Sequence, residues 1–530
     1  MKFKTQKWSM VFLLAGISAI CMTDPTRAAD VPTSQSSVDL SAFILTPAPS
    51  AKPRINGPGV YGERPGRPFL YTVPVTGDRP ITFSADGLPA GLQLDPHTGR
   101  ITGSVAAAGS YPVVLHVSNS LGNAQKNFKI VIGDQIALTP PMGWNSWNCW
   151  AGAVDQEKVL RSARAMVSSG LINHGWTYIN VDDTWQGTRD PQTHALQPDL
   201  KKFPDMKSLC DQIHDMGLKA GIYSTPWVMS YAGRLGGSAE NPNGDPQKWP
   251  GKHSYNKKIL PFAVGKYSFA TADAKQWADW GMDYLKYDWN PIEIPQVREM
   301  SDALRNSGRD IVFSLSNQAT ISLGADYAKL ANCWRTTNDI HDSWSSLNKT
   351  GFVQDPWNAF TGPGHFNDPD MLVVGYVGWG PKLHPSRLTP DEQYTHITLW
   401  SLLSAPLLIG CDLDRLDPFT LNLLTNDEVL AIDQDSLAKQ AVRVPLSDQT
   451  FLYVKDLDDR SKAVGLFNVG PQAAQVAAKW SDLHIVGKQS VRDVWRQKNL
   501  ATAKDVFEAQ VPAHGVILLK VQSTTPDERD

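Results

Sequence analysis

Hydrophobic positions change their period along the chain. From about Ile55 to Gly133 apolar and polar residues alternate in short runs, such as Phe69-Leu70-Tyr71-Thr72-Val73 and Val113-Val114-Leu115-His116-Val117, set apart by Gly and Pro turns. A period of two over runs this short predicts the strands of a small β-sandwich. After Leu138-Thr139-Pro140-Pro141 short apolar strands alternate with helical patterns. The strands are expected to begin near Gly143, Thr177, Leu218, Asp283, Asp310, Cys333, Gly364 and Pro406. The helices are expected near Asp155, Asp205, Thr271, Pro295, Gly324, Ser343, Thr389 and Asp417. Eight strand–helix pairs over roughly 290 residues predict a (β/α)8 barrel. An open doubly wound sheet would call for a glycine-rich phosphate turn, and no GxGxxG follows an early strand. Past about Gln440 the helical pattern stops. Phe451-Leu452-Tyr453-Val454, Ala463-Val464-Gly465-Leu466-Phe467, Ser490 to Trp495 and Gly515 to Leu519 then read as antiparallel strands of a second sandwich.

The N-terminus has the layout of an export signal: Lys2, Lys4 and Lys7, an apolar run from Met10 to Met22, then Thr26-Arg27-Ala28 as a small-x-small cleavage site. That run is shorter than the roughly 20 residues needed to span a bilayer, so cleavage near Ala28 or Ala29 and a periplasmic or secreted product are expected. The expected organisation is a signal peptide over 1–28, a Ser/Thr/Pro-rich linker over 29–52, and an immunoglobulin-like sandwich over 53–136. A (β/α)8 barrel over 137–439, a C-terminal sandwich over 440–522 and a tail over 523–530 complete it.

Composition narrows the partners. Hydrophobic residues make up 42% and charged residues 19%, with a net charge of −3 that becomes −6 once residues 1–28 are removed. Neither balance favours nucleic acid, and no other segment is long and apolar enough for a membrane. Cys21 leaves with the signal, and Cys149, Cys210, Cys333 and Cys411 are widely spaced without a CxxC pair, which argues against zinc and leaves disulfides open.

In a (β/α)8 barrel the chemistry lies at the carboxyl ends of the strands. Those ends carry Trp144-Asn145-Ser146-Trp147, Asp182-Asp183-Thr184-Trp185, Tyr223, Lys286-Tyr287-Asp288-Trp289, Asp339 with His341 and Asp342, and Asp368-Pro369-Asp370-Met371. Within Met282 to Asn290 a period of two places Tyr284, Lys286 and Asp288 on one face, so an ammonium and a carboxylate share a polar floor. Acids that accept hydrogen bonds from hydroxyls, beside indoles that cover C–H faces, suit a pyranose. Two further carboxylates suit glycosidic cleavage. A magnesium site of the enolase kind also uses strand-end acids, but here Trp and Lys are interleaved with them and no additional Lys or His base stands on a neighbouring strand.

These segments, with Pro140 to Trp147, Asn180 to Trp185, Gly217 to Tyr223, Tyr284 to Asp288, Trp334-Arg335 with Asp339-Ile340-His341-Asp342-Ser343-Trp344, and Asn367 to Leu372, resemble glycoside hydrolase family 27, the α-galactosidase (melibiase) family. The resemblance continues into Val491 to Trp495 and Pro512 to Val516. Gly87-Leu88-Pro89-Ala90-Gly91-Leu92 with Thr98 to Gly103 resembles the immunoglobulin-like modules attached to bacterial glycosidases, for which a spacer or docking role is expected.

The resemblance implies a retaining exo-α-galactosidase without cofactor or metal, with Asp288 as nucleophile and Asp339 as acid/base. It implies a sugar subsite lined by Trp147, Asp182, Asp183, Tyr223, Lys286, Arg335, Asp370 and Met371, together with Ser316. The two catalytic carboxyls are expected about 5–5.5 Å apart, acting through a covalent glycosyl-enzyme. Lys286 and hydrogen-bond donors are expected to keep Asp288 ionised at neutral pH, and Asp339, near Asp342 and near an ionised Asp288, to have a raised pKa and stay protonated. Ser316 and Ala319 stand where Glu and Leu accompany galactose in the family and where Ser and Ala accompany N-acetylgalactosamine. The family's intervening Trp-Pro is replaced by Asn317-Gln318, and the expected preference remains the α-galactoside. The alternatives are an α-N-acetylgalactosaminidase, a β-L-arabinopyranosidase and a non-catalytic sugar-binding protein. An insertion from about Trp227 to Phe269 departs from the family, as a lid, a further sugar subsite or a subunit contact.

Overall fold

The computed structural model describes residues 40–246 and 260–524. The proposed signal peptide and residues 247–259 of the insertion lie outside them. Among the described residues no helix is long and apolar enough to cross a membrane.

Eight parallel strands form the centre: Met142–Asn145, Tyr178–Asn180, Lys219–Ser224, Met282–Asp288, Val312–Ser316, Cys333–Arg335, Phe366–Asp368 and Leu407–Ile409. Each of the first seven pairs with its sequence neighbour, the first pairs with the eighth, and a parallel bridge between Leu372 and Ile409 closes the ring between the seventh and eighth. The strands are almost wholly buried because packed side chains fill the inside and helices cover the outside. Five of the eight expected helix starts are set by local side-chain capping. Asp155, Asp205, Ser343 and Asp417 each accept a hydrogen bond from the backbone N–H three residues on, and Thr389 with Glu392 makes a reciprocal capping box ahead of Pro390–Leu402.

The N-terminal module is a sandwich of a four-stranded and a three-stranded sheet around Phe69, Phe83, Ile101, Leu115, Phe128 and Ile130. It sits at the amino ends of the barrel strands. Lys219, first residue of the third strand, donates to the Tyr61 hydroxyl, which donates to Glu63 Oε2 at 3.0 Å. Arg64 meets Asp310, just before the fifth strand, through its backbone N–H at 2.7 Å and its guanidinium at 3.1 Å. Contacts at that end serve stability, since chemistry belongs to the opposite face. The C-terminal sandwich sets a six-stranded sheet against the pair Ala474–Lys479 and Val506–Val511.

Part of the segment read as a linker is packed in place. Thr46 is buried, its hydroxyl donating to the Trp495 carbonyl at 3.1 Å and accepting from Asn426 Nδ2 at 2.9 Å, while Asn422 Nδ2 donates to its carbonyl at 2.8 Å. Residues 40–46 thereby strap the last barrel helices to the C-terminal sandwich. The segment as a whole is rich in Ser, Thr and Pro, but residues 40–46 read Leu-Ser-Ala-Phe-Ile-Leu-Thr, and Leu40, Ile44 and Leu45 pack against the main core. Cys149, Cys210, Cys333 and Cys411 are buried free thiols.

Candidate active site

The fourth strand builds the floor of the mouth. Its pleat turns Tyr284, Lys286 and Asp288 inward, while Tyr287 and Trp289 pack edge to face on the outer side with ring centroids 5.0 Å apart. Lys286 Nζ reaches across to Asp182 Oδ2, at 2.8 Å, beyond the end of the second strand, and lies 5.7 Å from the centre of the Tyr223 ring on the third. Burial works against its charge, but Asp182 and Asp288 hold Lys286 above its ordinary range.

The second acidic group hangs on Arg335 at the end of the sixth strand. Its Nη1 is 2.8 Å from Asp370 Oδ1, and its Nη2 donates to Asp339 Oδ1 at 3.2 Å. Asp370 Oδ2 accepts from the Ile340 backbone N–H at 2.8 Å, which fixes the loop bearing Asp339. Asp370 has φ 118°, a strained backbone for a residue with a Cβ, held here by Arg335 and by the bond from its own N–H to Asp368 Oδ1 at 2.8 Å. Burial pushes Asp368 up to about 6 and raises Asp370 and Asp183 as well.

The residues expected in the subsite converge on this mouth. Asp182, Asp183, Tyr223, Ser316, Arg335, Asp370 and Met371 are buried, and Trp147 is half-buried at the start of the short helix after the first strand. Ser316 closes the fifth strand in register with Asp288. Among the described residues the Tyr223 hydroxyl and Arg335 Nε have no hydrogen-bond partner, and buried polar atoms of that kind ask for a polar ligand.

For the two carboxyls expected to be catalytic, the shifts run opposite to expectation. Burial pushes Asp288 up to about 7, with Asp339 and Asp182 adding to it, and this outweighs Lys286 and Arg335. The reason is geometric, because the Lys286 ammonium spends its short contact on Asp182. For Asp339, what burial its carboxyl has works to raise it, but Arg335 and then Lys286 hold it below the ordinary range. Asp342, expected to raise Asp339, is fully buried and bonded to Arg387, by Nε at 3.1 Å and by Nη2 at 2.5 Å.

Sequence reasoning missed Asn317. It follows the fifth strand with φ 70° and donates its side-chain amide to Asp288 Oδ1. The signal was present, since asparagine tolerates the left-handed region and this one comes immediately after a strand end. Asn317→Gly would keep that backbone and remove the donor. The groups facing Asp288 would then be Lys286 on its own strand, Asp182, Tyr223, Arg335 and Asp339. Losing a donor to the ionised form raises the pKa of Asp288. The basic limb of kcat/KM should therefore move up by about one pH unit and the plateau fall about tenfold. A pH-rate profile checks this, and a fall without movement of the limb would reduce Asn317 to a packing role.

The described part of the insertion is a wall of the site. The Ala232 N–H donates to Asp183 Oδ2 at 3.1 Å, and the Ser230 side chain also bonds Asp183. Trp227 packs on Tyr231 and Phe262, and the ribbon of Ser238–Ala239 with Tyr267–Ser268 carries the chain back. Of the three expected roles, this contact favours the sugar subsite.

A family model for alpha galactosidase A matches residues 139–249 and 255–435, one for the alpha galactosidase C-terminal beta sandwich domain matches 447–521, and an Ig domain model matches 52–133. The alpha-galactosidase of Coffea arabica is 37% identical over 402 residues, covering 74% of this chain and 97% of that one. A crystal structure from Bacteroides fragilis NCTC 9343 aligns with 91% of this chain and 99% of its own at 32% identity and a TM-score of 0.80. The crystal structure of alpha-galactosidase I from Mortierella vinacea covers 73% of this chain and 97% of its own at 30% identity and a TM-score of 0.62. The motifs that place acids at the strand ends thus stand in a shared fold, and the chain belongs to glycoside hydrolase family 27, the α-galactosidase (melibiase) family.

Proposed function

We propose that the protein is a retaining exo-α-galactosidase. The observation that carries this reading is the pair Asp288 and Asp339, electrostatically linked and bracketed by Lys286 and Arg335, inside a ring of buried hydroxyl acceptors. The Asp288 carboxylate attacks the anomeric carbon from the face opposite the leaving group, while Asp339 gives its proton to the departing oxygen. A galactosyl ester on Asp288 results. Asp339 then takes a proton from water as the water attacks the same carbon, and the product keeps the substrate's configuration. The first step needs one proton on the pair, carried by Asp339, and the second needs none, because Asp339 must be ionised to take the proton from water. The positive charge growing on the sugar favours ionised Asp288 at the moment of attack.

Asn317 also bears on the sugar's 2-position. Ser316 and Ala319 are the small residues at the end of the fifth strand, and Asn317, between them in the sequence, sends its amide to Asp288. With the amide committed to Asp288 and the chain similar to α-galactosidases, galactose is the sugar this reading favours. Steady-state hydrolysis of chromogenic α-galactoside, α-N-acetylgalactosaminide and β-L-arabinopyranoside tests the reading. The α-galactoside should be fastest, and Ser316→Glu should lower any activity on the N-acetyl substrate. A tenfold preference for the N-acetyl sugar, about 1.4 kcal/mol of transition-state binding, would overturn the assignment.

The site acids are engaged by cations and backbone N–H groups, and among the described residues no group of three or more His, Cys, Asp or Glu is arranged to hold a metal. Activity should accordingly survive EDTA, and loss with recovery on adding magnesium or calcium would refute the metal-free mechanism. The signal-like residues 1–28 support export to the periplasm or medium. N-terminal sequencing of the mature protein should then begin near Ala29.

A further inference from the structure

We propose that His341 and Trp379 form the platform for the sugar unit that departs, an aglycone subsite just outside Asp339. This rests on the α-galactosidase reading and names the place of the substrate's other half. The leaving oxygen must lie against the group that protonates it, so the unit attached to that oxygen lies on the solvent side of Asp339. Asp339 is on that side, with 64% of its side chain exposed. The next residue, Ile340, is fully buried and anchored by its N–H to Asp370, so the alternating chain brings His341 back to the same outer face as Asp339. The His341 backbone N–H is held by Ser346 Oγ at 2.9 Å, and its ring lies against Trp379 with centroids 5.3 Å apart and planes at 56°.

Trp379 is not ordinary surface filling. It stands at the tip of the hairpin formed by Tyr376–Val377 and His384–Pro385, with φ 51°, a conformation that a bulky side chain adopts only when its surroundings enforce it. The enforcing contacts are the N–H groups of Gly378 and Trp379, both bonded to the Asn148 carbonyl at 3.0 Å, and the Gly380 N–H bonded to that of Cys149 at 3.2 Å. Those carbonyls belong to the short helix that opens with Trp147. The hairpin tip therefore spans from the Trp147 side of the mouth to the Asp339 side, and Trp379 remains half-buried there. An indole offers its face to the C–H side of a pyranose, and the imidazole offers a polar edge to its hydroxyls.

The test compares two α-galactosides that differ in the leaving group: α-galactosyl fluoride, whose single atom cannot reach the platform, and an α-1,6-linked galactosyl-glucose. In Trp379→Gly, which suits the left-handed backbone, and in His341→Ala, the ratio of kcat/KM for the disaccharide over the fluoride should fall about tenfold, mainly through KM. Trp379→Phe should recover most of it. A ratio unchanged in both variants would overturn the platform, as would recovery by alanine as good as by phenylalanine at position 379. Failure of the unmodified protein to hydrolyse the fluoride would instead sink the activity, and the platform with it.

Discussion

Asp288→Ala is expected to abolish hydrolysis of α-galactosides, with kcat lowered by about 10⁴-fold or more, the loss of roughly 5 kcal/mol of transition-state stabilisation. The fold should survive, because the carboxylate stands at the end of a strand whose remaining residues are packed on both faces. Removing the side chain opens space on the face opposite the leaving group, so a small anion such as azide should restore part of the activity on a substrate with an activated leaving group. The product should be the β-galactosyl azide, inverted because only one displacement has occurred. Product stereochemistry by NMR checks this. An α-configured azide would mean that another group is the nucleophile and that Asp288 only orients the sugar.

The placement of Asp288 was legible from sequence because strand alternation is insensitive to tertiary detail. Once Lys286 faces the barrel interior, so does Asp288. The capping residues Asp155, Asp205 and Thr389 were legible for a similar reason, since each acts within one turn of its own helix. What was not legible depends on groups distant in the chain. Lys286 is two residues from Asp288, and sequence reasoning paired them. The fold gives the short contact of the ammonium to Asp182, 104 residues away, and for Asp288 burial outweighs the charge of Lys286. Asp342 is three residues from Asp339, but a buried carboxylate needs a partner and Arg387 supplies it. Asn317 shows the intermediate case, since its left-handed conformation was readable in kind, but its target only after Asp288 and Ser316 were set in register. The strap at Thr46 was hidden because its partners Asn422, Asn426 and Trp495 belong to elements far later in the chain, as the separation of 380 from Asn426 shows.

Asp339→Asn is the companion test, and it separates the acid/base from the nucleophile by leaving group and by pH. A leaving sugar needs a proton, so kcat/KM for the disaccharide should fall by about 10³-fold, within the span that general acid catalysis contributes. Galactosyl fluoride departs without protonation and should lose far less in the first step. In the unmodified enzyme the two carboxyls titrate as a coupled pair, and the active form carries one proton. Activity should therefore fall on the acid side as the lowered Asp339 takes up a second proton, and on the basic side near 7 as the pair loses its last one. In the Asp339→Asn variant only Asp288 of the pair still titrates. The fluoride profile should then rise with pH to a plateau and show no basic limb. Its midpoint should fall below about 7, because the Asp339 charge that helped raise Asp288 is gone while Lys286 and Arg335 remain. A basic limb that persists near its original position in Asp339→Asn would assign that ionisation to another group, and would leave Asp339 as a substrate contact at the rim.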